Sequence, residues 1–315
     1  MKVGVVGAGA VGRACFLSMV LRSSAREIVL VNRNRKRAEG VVTDTRYGAV
    51  LSPGVNVSTG DYSDLADCKL VMITAGVNEK GGGATNRSDP KGRLRMLQSN
   101  AEVYQQIVPQ IRRAAPDCVI LVVTDPPDPL ADVVRTLGHE RVLSTGTYLD
   151  SLRFRYHLAR RLKVNPDSVD AFVLGEHGTS EVFVWSSARV GGTPVMPLLT
   201  PAGGQPDRVR AEIEEEVRYA NITIIEGIDA SQYGIGIVCA RMSEMVLRDE
   251  RSVIPVGKYH EKFGVTLSLP SVVGRNGVER VIEPELSAAE TDALARSAKA
   301  IRDSLASVDL SARAA

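Results

Sequence analysis

The opening run MKVGVVGAGAVG leaves few choices of fold. Lys2 to Val6 is short and rich in valine, which predicts a buried strand, and Gly7 to Gly12 then opens directly into a helical pattern. In that context each glycine of GAGAVG has a task. Gly7 permits a tight turn, Gly9 lets backbone approach a pyrophosphate, and Gly12 allows close helix packing, while the helix N-terminus favours an anion. The alternative is a glycine-rich turn without a ligand, and the flanking strand and helix weigh against it.

The first half continues in the same rhythm. Short runs at 2–6, 27–31, 56–60, 69–76 and 118–124 alternate with helical stretches at Arg13 to Arg22, Arg35 to Gly48 and Arg93 to Ala115. Nearly continuous apolar strands between helices predict a parallel sheet covered on both faces, a Rossmann-type doubly wound α/β fold. From Gly146 the pattern changes to strands within AFVLGEHG and EVFVWSSARV, a long helical segment from Pro206 to Arg248, a hairpin in VTLSLPSVVGRNGVERVI, and a last helix from Ser287. This predicts a dinucleotide-binding domain over 1–145 and a mixed α+β substrate domain over 146–315. A chain of 315 residues, 44% hydrophobic, can bury the cores that both require.

The charge balance narrows the partners. Its 39 basic and 37 acidic residues are interspersed, so nothing calls for nucleic acid or an anionic membrane surface. Cys15, Cys68, Cys118 and Cys239 lie far apart with no metal-ligand spacing, and read as free thiols in a reducing compartment. No apolar run approaches the ~20 residues of a membrane span, so the expectation is a cytoplasmic protein with no bound metal.

The second strand runs into a cationic cluster, EIVLVNRNRKRAEG. In an NAD site the end of this strand usually carries an acidic residue that accepts from the adenosine ribose hydroxyls. Here the position holds Asn32, followed by Arg33. Without the carboxylate and with a guanidinium beside it, the local preference reverses toward a 2'-phosphate, so NADP(H) is favoured and NAD(H) is the alternative. Arg35, Lys36 and Arg37 also read as a solvated helix face.

Two later segments, GTYLDSLRFR and LGEHGTSEVFVWS, contain Asp150, Arg153 and His177. An Asp that orients a His, with an Arg able to grip a carboxylate, suits proton-coupled hydride transfer to a 2-keto acid. On residues alone, His177 also reads as a core histidine, and Asp150 with Arg153 as an ordinary pair at i, i+3. The ordered set of motifs resembles the L-lactate and L-malate dehydrogenase family along nearly the whole chain: GAGAVG, ITAG (73–76), GRLRMLQSN (92–100), VTDPPD (123–128), LDSLRFR, GEHG and LPSVVGRNGVERVI (269–282).

The resemblance implies that His177 is the general acid, Asp150 its partner, Arg153 the clamp on the substrate carboxylate, and Arg93 a carbonyl-polarising group on a closing loop. It also implies that Val11, Arg37, Ala75, Gly76 and Asn100 join Gly7, Gly9, Gly12, Asn32 and Arg33 along the cofactor. The product is then an (S)-2-hydroxy acid of lactate type, with malate the alternative, made by a homodimer or homotetramer. A non-catalytic dinucleotide-binding or redox-sensing protein is the reading from another class.

The sequence departs from the family pattern in four places. The loop Val77 to Gly92 is longer than usual, reads as a lid with an insertion, and carries Glu79 where Arg favours malate and Gln favours lactate; Arg87 in the insertion could take over from it. Asp125 stands where the family has an Asn near substrate and nicotinamide, and an ionised Asp there would hold the imidazole protonated to higher pH. Ile228 and Asp229 replace a Lys-Gly pair, with Ser231 in place of a pocket Thr, and Thr179 replaces a frequent Asp. Finally, activation by fructose 1,6-bisphosphate uses a His where this chain has Asp170, opposite Arg155, so no such activation is expected.

Overall fold

The computed structural model describes residues 1–52, 54–77, 96–200 and 204–310. Strands β1 (Lys2–Val6), β2 (Glu27–Val31), β3 (Asn56–Gly60), β4 (Cys68–Ile73), β5 (Val119–Val122) and β6 (Val142–Ser144) are parallel, in the order β3-β2-β1-β4-β5-β6. Helices α1 (Ala10–Leu21), α2 (Arg35–Ala49), α3 (Met96–Ala114) and α4 (Pro127–Thr136) provide crossovers. One apolar layer joins α1 and α2 to one face of the sheet, and a second joins α3 and α4 to the other. Burial of β1, β2, β4 and β5 on both faces explains their unbroken apolar runs.

The second half begins with α5 (Tyr148–Leu162) and the two-residue strands β7 (Val169–Asp170), β8 (Val173–Leu174), β9 (Val182–Phe183), β10 (Arg189–Val190) and β11 (Thr193–Pro194). Then come α6 (Val195–Leu199), α7 (Pro206–Arg218), α8 (Ala220–Ile228) and α9 (Tyr233–Leu247), followed by β12 (Ser252–His260), β13 (Val265–Gly274), β14 (Gly277–Val281) and α10 (Ala288–Leu305). The predicted hairpin β13-β14 does not stand apart. Through β12 it extends the main sheet antiparallel to β6, making nine strands among the described residues.

One local expectation changes, and two elements appear that the sequence did not signal. The segment 206–248 is three helices, broken at Tyr219 and at Asp229, whose φ of 65° ends α8 in the left-handed region. Helix α4 forms despite Pro126, Pro127 and Pro129, because these occupy its N-cap and first turn, where a missing N–H is not needed. β6 is only three residues long and gives no periodic signal. Among the described residues no helix is long and apolar enough to cross a membrane, and all four cysteines are free and buried.

Helix α9 returns across the sheet to pack on α1. A Cβ at Gly236 would lie 2.8 Å from the carbonyl carbon and oxygen of Ala14, so the helix backbones nearly touch. Arg22, which caps the C-terminus of α1, donates two hydrogen bonds of 2.8 Å to Glu244 of α9. This crossing places the α8-α9 corner beside the glycine turn.

Candidate active site

The glycine turn has the geometry its sequence implies. Gly7 adopts φ +114°, where a side chain is disfavoured, and a Cβ on Gly12 would come 2.0 Å from Gly7 O. Around Gly9, the N-cap of α1, no heavy atom of the described residues beyond its own chain neighbours lies within 4 Å of a Cβ position. That open space against a helix N-terminus fits a pyrophosphate. Ala75 packs its backbone N 2.7 Å from the Cβ position of Gly7.

At the end of β2, Asn32 Oδ1 accepts from Ala8 N (3.0 Å) and Asn32 Nδ2 donates to Asn34 O (2.9 Å). The residue expected beside the ribose therefore also braces the glycine turn. Arg33 is exposed and has no hydrogen-bond or ion-pair partner among the described residues. Arg35 bonds Asp61 (2.9 Å) and Glu39 (3.3 Å), the behaviour of a solvated helix face. Arg37 is also exposed, with its backbone N–H capped by Asn34.

Asp150, on the first turn of α5, is 1% exposed. The loop between β8 and β9 brings His177 to it: Nδ1 lies 2.5 Å from Asp150 Oδ2, while Arg153 Nη1 donates to Asp150 Oδ1 at 2.9 Å. A carboxylate on Nδ1 selects the tautomer that carries its proton there, leaving Nε2 for the cleft. Asp125 Oδ1 is 4.0 Å from Nε2, near enough to stabilise a protonated ring.

One cleft of about 180 Å³ joins part of this set: its lining runs from Gly9, Val11 and Gly76 through Asp125 to Arg153, His177 and Ser231, whereas Gly7, Gly12, Asn32, Arg33, Arg37, Ala75 and Asp150 are not in the lining. Asp229 also lines it. Asn100 does not: it is fully buried, accepting from Val77 N (2.7 Å) and donating to Asp125 O (2.7 Å), so it braces the two loops that carry cleft residues. Glu79, Arg87 and Arg93 lie outside the described residues. Among the described residues no group of three or more His, Cys, Asp or Glu side chains could hold a metal.

Two buried acids were not anticipated. Asp128 is fully buried and accepts from His177 N at 2.8 Å. Glu181 is 6% exposed, and burial, reinforced by Asp150, pushes its carboxyl up to about 8. Asp128 lay inside a quoted motif, VTDPPD, but nothing in its spacing signalled contact with a loop 49 residues away. On the outer side of α5, Arg155 Nη2 lies 3.7 Å from Asp170 and its Nε donates to Ala171 O at 3.0 Å.

A doubly wound sheet whose glycine turn opens into the same cleft as a His–Asp pair defines the class: a dinucleotide-binding fold with a proton-transfer site. Residues 1–142 match the family model for the lactate/malate dehydrogenase NAD binding domain, and residues 147–309 match that for the lactate/malate dehydrogenase alpha/beta C-terminal domain. The chain belongs to the lactate/malate dehydrogenase family. An L-lactate dehydrogenase of Deinococcus radiodurans is 44% identical over 305 residues, covering 96% of this chain and 97% of the relative. That of Thermus aquaticus is 41% identical over 311 residues, covering 96% and 97%. The crystal structure of the minor L-lactate dehydrogenase from Enterococcus mundtii in the ligands-bound form superposes with a TM-score of 0.89 at 32% identity, covering 98% of each chain.

Proposed function

We propose that this chain is a cytoplasmic L-lactate-type dehydrogenase that interconverts a 2-keto acid and its (S)-2-hydroxy acid, with NADP(H) preferred over NAD(H). Residues 1–145 bind the dinucleotide and 146–315 supply the substrate site. The observation that carries the reading is the single cleft that joins Gly9 to His177 and Arg153. A bound nicotinamide supplies the hydride.

In the reductive direction the Arg153 guanidinium pairs with the substrate carboxylate, which sets the keto carbon in place. As the C=O π bond breaks, His177 Nε2 gives its proton to the keto oxygen, while the keto carbon receives the hydride. Asp150 keeps Nδ1–H oriented and stabilises the imidazolium before transfer. Arg93 polarises the carbonyl from the loop, and Glu79 and Ser231 border the substrate side chain.

The cofactor preference rests on Asn32 and Arg33. No carboxylate stands at the end of β2, and Arg33 is available for a 2'-phosphate. Charge-assisted hydrogen bonds are worth about 1.5–3 kcal/mol each, so one or two shift the preference by roughly ten- to ten-thousand-fold. Steady-state kinetics with NADH and NADPH across pyruvate, oxaloacetate and bulkier keto acids test both halves. NADPH should give the higher kcat/KM, and Asn32→Asp with Arg33→Ile should reverse the order; binding without turnover would point to a sensor instead.

The protein also acts as a homodimer or homotetramer. Leu17 and Leu21 on α1, Tyr47 on α2, Val50 and Leu51 after it, and Tyr233 and Ile237 on α9 are 47–88% exposed. These helices cover the same face of the sheet. Such an apolar array suits a second copy of the chain.

A further inference from the structure

The catalytic histidine is held by its backbone as well as by its ring. Its N–H donates to Asp128 Oδ2 (2.8 Å), and Asp128 Oδ1 accepts from Ser144 Oγ of β6 (2.5 Å). Asp128 belongs to the first turn of α4 and has no exposed surface. A Cβ on Gly257 of β12 would lie 2.4 Å from Asp128 Oδ1 and 2.0 Å from Ser144 Oγ, so this strand's backbone closes over the carboxyl. Burying a carboxyl is costly, and an amide could hold the same two partners without a charge, accepting from His177 N–H and donating to Ser144 Oγ.

We propose that Asp128 is a positioning residue for hydride transfer: it fixes the His177 backbone so that Nε2 faces the cleft, and adds a further carboxylate to those that act on the imidazolium. The inference rests on the 2-keto acid reaction proposed above. Burial pushes the Asp128 carboxyl up to about 7, against the lowering effect of its hydrogen bonds from Ser144 and His177 N–H. When protonated it can donate to Ser144 while still accepting from His177, so the position persists and only the charge is lost. Glu176 and His177 act on it from the loop, Asp132 lies one turn on in α4, and β6 and β12 present Ser144 and Gly257. Around the imidazole stand Asp125, Asp150 with Arg153, and Glu181.

NMR titration of the histidine rings tests the charge separately from turnover. The chain has four histidines, and His177→Asn identifies the His177 signal. Asp128→Asn should lower the His177 midpoint by about half a pH unit or more, because it removes a nearby negative charge. Kinetically, Asp128→Ala should reduce kcat on the order of a hundredfold, with a much smaller change in KM, as expected for a displaced acid. Asp128→Asn should recover most of that loss and lose the ionisation near 7 from the kcat profile. If Asp128→Ala does not fold, Asp128→Asn alone decides through the midpoint and the profile. With turnover intact, an unmoved midpoint and profile in Asp128→Asn overturn the inference, whereas no turnover by the unmodified protein with any keto acid overturns the reaction on which it rests.

Discussion

Glu181 lies behind the Asp150–His177 pair, with Arg218 Nε 3.9 Å away. Burial comes first and Asp150 second among the causes that raise its carboxyl from the ordinary 4.5 to about 8. The folded protein thus retains a proton that the unfolded chain releases between pH 4.5 and about 8, so stability attributable to this residue falls as pH rises through that window. Glu181→Gln has no such proton to lose. Relative to the unmodified protein, its Tm should therefore be higher at pH 8.5 than at pH 5. Thermal melts at the two pH values check this, and a difference that is the same at both would refute it. Neither Glu181 nor Asp128 could be distinguished from a surface acid by composition or spacing, because what distinguishes them is a low-dielectric enclosure built from remote segments. By contrast, Gly7 and Gly12 were legible, since a left-handed φ and a backbone contact exclude side chains wherever such a turn occurs.

At the scale of elements, the α1-α9 crossing couples the dinucleotide half to the cleft. A leucine at Gly236 would have to push against Ala14 backbone, which cannot give way as a side chain tip would. Gly236→Leu should destabilise the fold by about 1–3 kcal/mol, the usual cost of overpacking. It should also lower kcat/KM by displacing the cleft residues Ser231, just before α9, and Ile235, in its first turn. Denaturant unfolding and steady-state rates measure the two effects, and an unchanged midpoint would show that the helices tolerate separation. The breaks at Tyr219 and Asp229 escaped the periodicity because both flanking stretches are helical; the left-handed turn is imposed where α8 must give way to α9. Asn100 shows the same limit, since its bonds to Val77 and Asp125 join loops that only the sheet brings together.

For the whole molecule, the exposed apolar side chains of α1, α2 and α9 should be covered by another copy. Sedimentation equilibrium should give at least twice the 33.9 kDa of one chain, and Leu21→Glu with Leu51→Glu should shift the population toward monomer. A monomeric unmodified protein would end that proposal. Addition of fructose 1,6-bisphosphate should leave the kinetics unchanged, because Asp170 repels phosphate and already lies 3.7 Å from Arg155.

The sequence by itself determined the parallel sheet, the glycine turn and the ordered motifs, because strand burial, backbone sterics and short-range spacing are local consequences of residue type. Only the tertiary structure decided that β12 to β14 complete one nine-stranded sheet, that Asn32 braces the turn it was expected merely to flank, and that His177 is held by Asp128 as well as Asp150. Those outcomes depend on contacts between segments far apart in the chain, where packing and burial rather than local preference set the partner.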